Sequence, residues 1–84
     1  MEWSVYIILC DDGSLYTGIS TDVQRRFQQH LNGRGAKFFR SHHPLRIVFV
    51  EAGHTRSSAS VKENVIKRLT RQKKILSLNL KLDA

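Results

Sequence analysis

A single cysteine, Cys10, is all this chain offers for redox chemistry or soft-metal binding. One thiol cannot close an internal disulfide or build a cysteine zinc site, and a lone strand thiol reads as a small buried hydrophobe. Long apolar runs are missing too: no stretch approaches the roughly 20 residues needed to span a bilayer. Met1-Glu2-Trp3 has no charged n-region with an apolar stretch after it, so no secretory signal is expected. These absences point to a soluble, cytoplasmic protein with no membrane partner. Internal repeats, linkers and low-complexity segments are also lacking, and 84 residues suit one domain, 1–84, with a small core. Acidic residues are scarce. Seven Asp and Glu face fourteen Lys and Arg, a formal net charge of +7. That excess favours a polyanionic partner, because neutralising phosphates releases condensed counterions. Charge alone does not separate an enzyme from a binder, or DNA from RNA.

What the chain does contain is a regular alternation of elements. Trp3 to Cys10 is rich in β-branched and aromatic residues and reads as a strand, with Leu15 to Ile19 as its partner. A three-residue Asp11-Asp12-Gly13 loop, with Gly13 left-handed in a bulge, sets Tyr16 opposite Ile8 and makes Tyr6 its diagonal neighbour on the same face. Thr21-Asp22-Val23-Gln24 fits a capping box opening a helix that stops at Asn32-Gly33. Its apolar stripe is Val23, Phe27 and Leu31, with Arg26 and His30 one turn apart at the margin. Arg25 is expected on the opposite face, in water. Gly33 to His43 reads as irregular or briefly helical, and Pro44 to Ala52 as a third strand. A second helix is expected from about Ser58 to Leu69 with Val61, Val65, Ile66 and Leu69 inward. Lys62 falls within that stripe, its stem packed and its amine snorkelling. Thr70 caps a last helix to about Leu76, anchored by Ile75 and Leu76. The order β-β-α-β-α-α implies a small α+β fold, a three-stranded antiparallel sheet flanked by helices.

Ser4-Val5-Tyr6, Tyr16-Thr17-Gly18, Arg26 ten positions beyond Tyr16, and Glu63 on the second long helix follow one another in a familiar order. With Gly33-Arg34-Gly35-Ala36-Lys37 and the basic tract Lys67 to Lys74, this resembles the GIY-YIG nuclease superfamily, in its small single-domain bacterial branch. The resemblance covers nearly the whole chain. Ser4 replaces the first motif's glycine and Thr17 the second motif's isoleucine, and Ile19 stands where some repair-type relatives carry lysine. The resemblance implies a metal-dependent endonuclease acting on DNA or structured nucleic acid, with Tyr6, Tyr16, Arg26, His30 and Glu63 as site residues. It further implies that Glu63 is the ligand of Mg²⁺ or Mn²⁺.

The constellation suits phosphodiester hydrolysis. A tyrosine hydroxyl, foremost that of Tyr16, can act as general base if cations lower its pKa from about 10. Arg26 can stabilise charge on the phosphate, and His30 can relay a proton or contact phosphate. One carboxylate suffices for Mg²⁺, which keeps several waters. Lys37, Arg40, Lys67, Arg71 and Lys74 are the expected phosphate contacts. Plainer readings stand beside these: paired strand tyrosines pack, and Glu63 pairs with Lys67 at i+4. His42, His43 and His54 read as loop residues, and Asn79 as a tail residue. The alternative function is a non-catalytic nucleic-acid-binding module on the same scaffold. A protein-interaction adaptor has only Phe38-Phe39 in its favour.

Overall fold

The computed structural model describes residues 1–82. Its elements are strands β1 (Trp3–Cys10) and β2 (Leu15–Ser20), helix α1 (Val23–Leu31), a 3-10 turn (Lys37–Arg40), strand β3 (Pro44–His54), and helices α2 (Arg56–Lys67) and α3 (Arg71–Ser77). The sheet is antiparallel in the order β2-β1-β3. Apolar on both faces, β1 takes the central place. Val5 and Ile7 face α2, Ala59, Ile66 and Leu80, whereas Tyr6, Ile8 and Cys10 face α1 and Phe39. Cys10 is buried, which pushes its thiol up to about 11.

The hairpin has the expected register. Ile8 pairs with Tyr16 and Tyr6 with Gly18, and the Cys10 N–H meets the Ser14 carbonyl at 2.9 Å around a left-handed Gly13 (φ 85°). Arg71 extends from α3 to donate through Nε to the Gly13 carbonyl at 3.0 Å, tying the turn to the far end of the chain. On the other side of β1, β3 is irregular. Its register shifts between Trp3 and Val5, Ile7 and Ile8, and Leu9 and Cys10, each time by an extra residue in β3.

Expectations for all three helices are corrected. The N-cap of α1 is Asp22, one residue later than Thr21, because the Asp22 carboxylate takes the Arg25 N–H at 3.1 Å. Leu31 is exposed and His30 takes the buried place, since the helix turns its Val23, Arg26, Phe27 and His30 side to the sheet. Helix α2 starts at Arg56, where Thr55 and Ser58 form a capping box. It presents Ala59, Glu63 and Ile66 inward. Small Ala59 lets the helix approach the sheet on that stripe, leaving Val61 (62 % exposed) and Val65 (52 %) on its flanks. Lys62 is half-buried, its amine 3.9 Å from Glu51. In α3, Ile75 packs on the core but Leu76 is exposed, because the chain turns back at once. Asn79 makes that turn in a left-handed conformation (φ 54°), letting the Leu80 N–H reach the Ile75 carbonyl at 3.0 Å and its side chain enter the core.

Candidate active site

Because β1 and β2 pair Tyr6 with Gly18, the Tyr6 ring lies across a residue without a side chain. A Cβ at Gly18 would stand 2.6 Å from the Tyr6 hydroxyl and 3.0 Å from the Tyr16 ring. The Tyr6 hydroxyl therefore needs glycine there. It meets Nε2 of His30 at 2.9 Å in the buried layer between sheet and α1.

The other imidazole nitrogen decides the direction of that bond. Nδ1 of His30 accepts the Ala36 N–H at 3.2 Å, so it holds no proton in the neutral ring. Nε2 carries the proton and donates it to Tyr6. Gly35 makes this possible, for a Cβ there would sit 1.9 Å from Nδ1. Burial, and then the Arg26 guanidinium, lower the His30 pKa from its ordinary 6.5 to about 4, which keeps the ring neutral. Burial and the neighbouring Tyr16 push the Tyr6 phenol well above its usual range, while Arg26 counters through charge and a hydrogen bond. His30 is 1 % exposed and so has no direct contact with a phosphate from solvent.

Tyr16 is half-buried, its ring centroid 6.3 Å from that of Tyr6 and 5.4 Å from that of His30. Phe39 meets it edge-on at 4.8 Å and Phe38 lies at 5.4 Å, so the 3-10 turn braces this ring. The two phenylalanines have work in the core. Arg26 is half-buried and steadied by its own helix, NH1 donating to Gln29 Oε1 at 2.9 Å. Glu63 is 19 % exposed at its side chain, lies near enough to raise the Tyr6 pKa, and pairs with Lys67 at 3.2 Å. Thus Tyr6, Tyr16, Arg26 and His30 form one cluster, and Glu63, on α2, reaches it only through its charge, the smallest of the influences on Tyr6. A groove of about 200 Å³ opens beside it, lined by Ser20, Thr21, Asp22, Arg25, Arg26 and Gln29. Of the cluster, Arg26 alone lines it. Arg25 is exposed as expected, yet it lines this groove with Arg26 and does not lie on an opposite side.

The basic residues divide. Lys37 and Arg40 are exposed on the 3-10 turn. Lys67 is engaged by Glu63 and Arg71 by Gly13; Lys74 is half-buried, and burial with nearby Lys67 lowers its pKa. Two of the other histidines serve the fold: Nδ1 of His42 lies 2.7 Å from Asp12, and Nε2 of His54 lies 2.6 Å from Glu51 at the end of β3. Asp12, which also accepts the Ser14 N–H, is held at about 2. Gly18, Gly35 and Ala36 stood in the motifs without a stated contact, and Gln29 was passed over. For Gln29 the i, i+3 spacing from Arg26 was an available signal.

The motif order anticipated two tyrosines on one face; their meeting across Gly18 and the bond from His30 to Tyr6 come from the structure. The family described as the GIY-YIG catalytic domain matches residues 2–75. This chain belongs to the GIY-YIG family. It is 50 % identical over 70 residues to a UPF0213 protein of Haloquadratum walsbyi, covering 83 % of this chain and 79 % of that one. A UPF0213 protein of Cronobacter sakazakii is 49 % identical over 73 residues, covering 87 % and 77 %. Among solved structures, the UPF0213 protein BH0048 of Bacillus halodurans superposes with a TM-score of 0.60 at 42 % identity, covering 94 % and 84 %. Among the described residues, no helix is long and apolar enough to cross a membrane.

Proposed function

We propose that this GIY-YIG protein is a metal-dependent endonuclease that hydrolyses phosphodiester bonds in DNA or another structured nucleic acid. The observation that carries the reading is the Tyr6 hydroxyl held by the His30 Nε2–H over side-chain-free Gly18, with Arg26 beside it. Two glycines and a buried neutral imidazole are a costly way merely to pack one tyrosine. In this reading Tyr16, the more accessible phenol, is the general base towards water. Arg26 pairs with the phosphate oxygens and gains strength as charge gathers on them. Tyr6 and His30 are positioning residues: the imidazole fixes the hydroxyl, and the hydroxyl helps fix Arg26.

The donor set suits a hard divalent cation. Glu63 is a single, largely enclosed carboxylate, and a metal there would displace the Lys67 ammonium that now lies 3.2 Å from it. A hard divalent ion that keeps most of its waters needs no more than one protein carboxylate. Glu63 would hold Mg²⁺ or Mn²⁺, and such an ion supplies Lewis-acid polarisation of a phosphoryl oxygen when bound. The same Glu63–Lys67 pair favours one rival, a binding module in which Glu63 is only a helix partner.

The test is a cleavage assay over single-stranded, duplex, branched and RNA substrates with Mg²⁺ or Mn²⁺. Glu63→Gln is expected to abolish cleavage while leaving affinity equal or slightly higher, since a negative charge facing phosphate is lost. Tyr16→Phe should cost on the order of 10²–10⁴ in rate with folding intact. If wild type binds the panel but cuts none of it, and Glu63→Gln binds identically, the binding module replaces the enzyme.

A further inference from the structure

The groove beside Arg26 is rich in hydrogen-bond donors. Gln29 gives its Oε1 to Arg26, which leaves its amide hydrogens for another partner. The Ser20 hydroxyl oxygen takes the Asp22 N–H at 2.9 Å, which leaves its own hydrogen to donate. Asp22 gives Oδ1 to the Arg25 N–H at 3.1 Å. Among the described residues no carboxylate pairs with the Arg25 guanidinium. Two guanidinium forks, an amide, two hydroxyls and one carboxylate already committed at Oδ1 make a site that suits an anion with several oxygens.

We propose that this groove is a second phosphate subsite, in which Arg25 holds the phosphate adjoining the one at Arg26 on the same nucleic-acid strand. The inference rests on the nuclease reading for its ligand class, and it adds a binding role for a residue the cluster does not include. Consecutive helix positions point about 100° apart, but both arginines line one groove of about 200 Å³, small enough that the two phosphates would be neighbours along one strand. The subsite acts in binding and in the register of the strand, whereas Arg26 acts at the reacting group.

The experiment is a fluorescence-anisotropy titration of a fluorescein-labelled oligodeoxynucleotide in EDTA, where no cutting occurs. Each phosphate in turn is replaced by a neutral methylphosphonate, and each probe is titrated against wild type, Arg25→Ala and Arg26→Ala. Arg25→Ala should weaken binding several-fold and lower the slope of log K against log salt by about 0.7–0.9. One methylphosphonate should weaken wild type but be silent in Arg25→Ala, and it should lie next to the position silent in Arg26→Ala. Arg25→Lys, which keeps the charge, should restore the salt slope but only part of the affinity. Unchanged affinity in Arg25→Ala, a loss spread evenly over all positions, or silent positions that are not adjacent would overturn the subsite. A wild type that shows the coupling yet cleaves nothing with Mg²⁺ or Mn²⁺ would sink the hydrolase reading and leave the subsite standing.

Discussion

The residue that does most to define the site is His30, and its behaviour with pH follows from its surroundings. In the unfolded chain its pKa is near 6.5, and in the folded protein burial and Arg26 hold it at about 4. Between those values the unfolded state binds more protons, so stability is expected to fall as pH drops from about 6.5 to 4. At about 1.4 kcal/mol per unit, the loss is on the order of 3 kcal/mol. Urea unfolding across that range should show it, and His30→Gln should flatten the profile; an equally steep profile in the variant would refute the assignment. Gly18→Ala belongs to the same scale. Its Cβ would fall 2.6 Å from the Tyr6 hydroxyl, so the variant should lose about 1–3 kcal/mol and the His30–Tyr6 bond. The ¹H and ¹⁵N shifts of the His30 Nε2–H report the lost bond, while the Ala36 N–H keeps the tautomer. None of this was legible from local pattern. The burial of His30 depends on Gly35 and Ala36, which reach back from beyond the helix, and periodicity within α1 favoured Leu31 for that place.

At the scale of elements, local signals succeeded where a single residue type demands one geometry. A left-handed Gly13 suits both a two-residue Asp12-Gly13 turn and the three-residue loop, and only the latter, which the register has, sets Tyr6 and Tyr16 on one face. The stop at Asn32-Gly33 is plainer: the Arg34 N–H returns to the Gln29 carbonyl at 2.8 Å and that of Gly33 to His30 at 3.3 Å. Helix phasing was harder. The apolar stripe of α2 pointed to Val61 and Val65, whereas the small Ala59 is the residue that meets the sheet. The placing of Glu63 inward follows from that phasing. Asn79 also escaped, because its value lies in ending α3 and not in reaching the site. Asn79→Ala should therefore destabilise by about 1 kcal/mol, and Asn79→Gly should be neutral or slightly stabilising. Chemical denaturation distinguishes these outcomes, and any cleavage activity should survive both substitutions.

Over the whole molecule, the net charge of +7 is not spread over equivalent residues. Lys37 and Arg40 are exposed without a carboxylate partner among the described residues, whereas Arg71 is bound to the hairpin turn. Lys37→Ala and Arg40→Ala should each lower the salt slope of nucleic-acid binding by about 0.7–0.9 with stability unchanged. Arg71→Ala should do the reverse, costing about 1 kcal/mol of stability with a smaller effect on the slope. Salt titrations beside urea melts separate the two classes; identical slopes for all three variants would contradict the division. The third strand has a consequence of its own. An outer strand of 11 residues is ordinarily a template for another chain. Three extra residues along β3 break its row of outward amides and carbonyls into short pieces, and Pro44 removes one donor at its start. A straight incoming strand finds no continuous ladder there, so the irregularity works against edge-to-edge pairing of copies at β3.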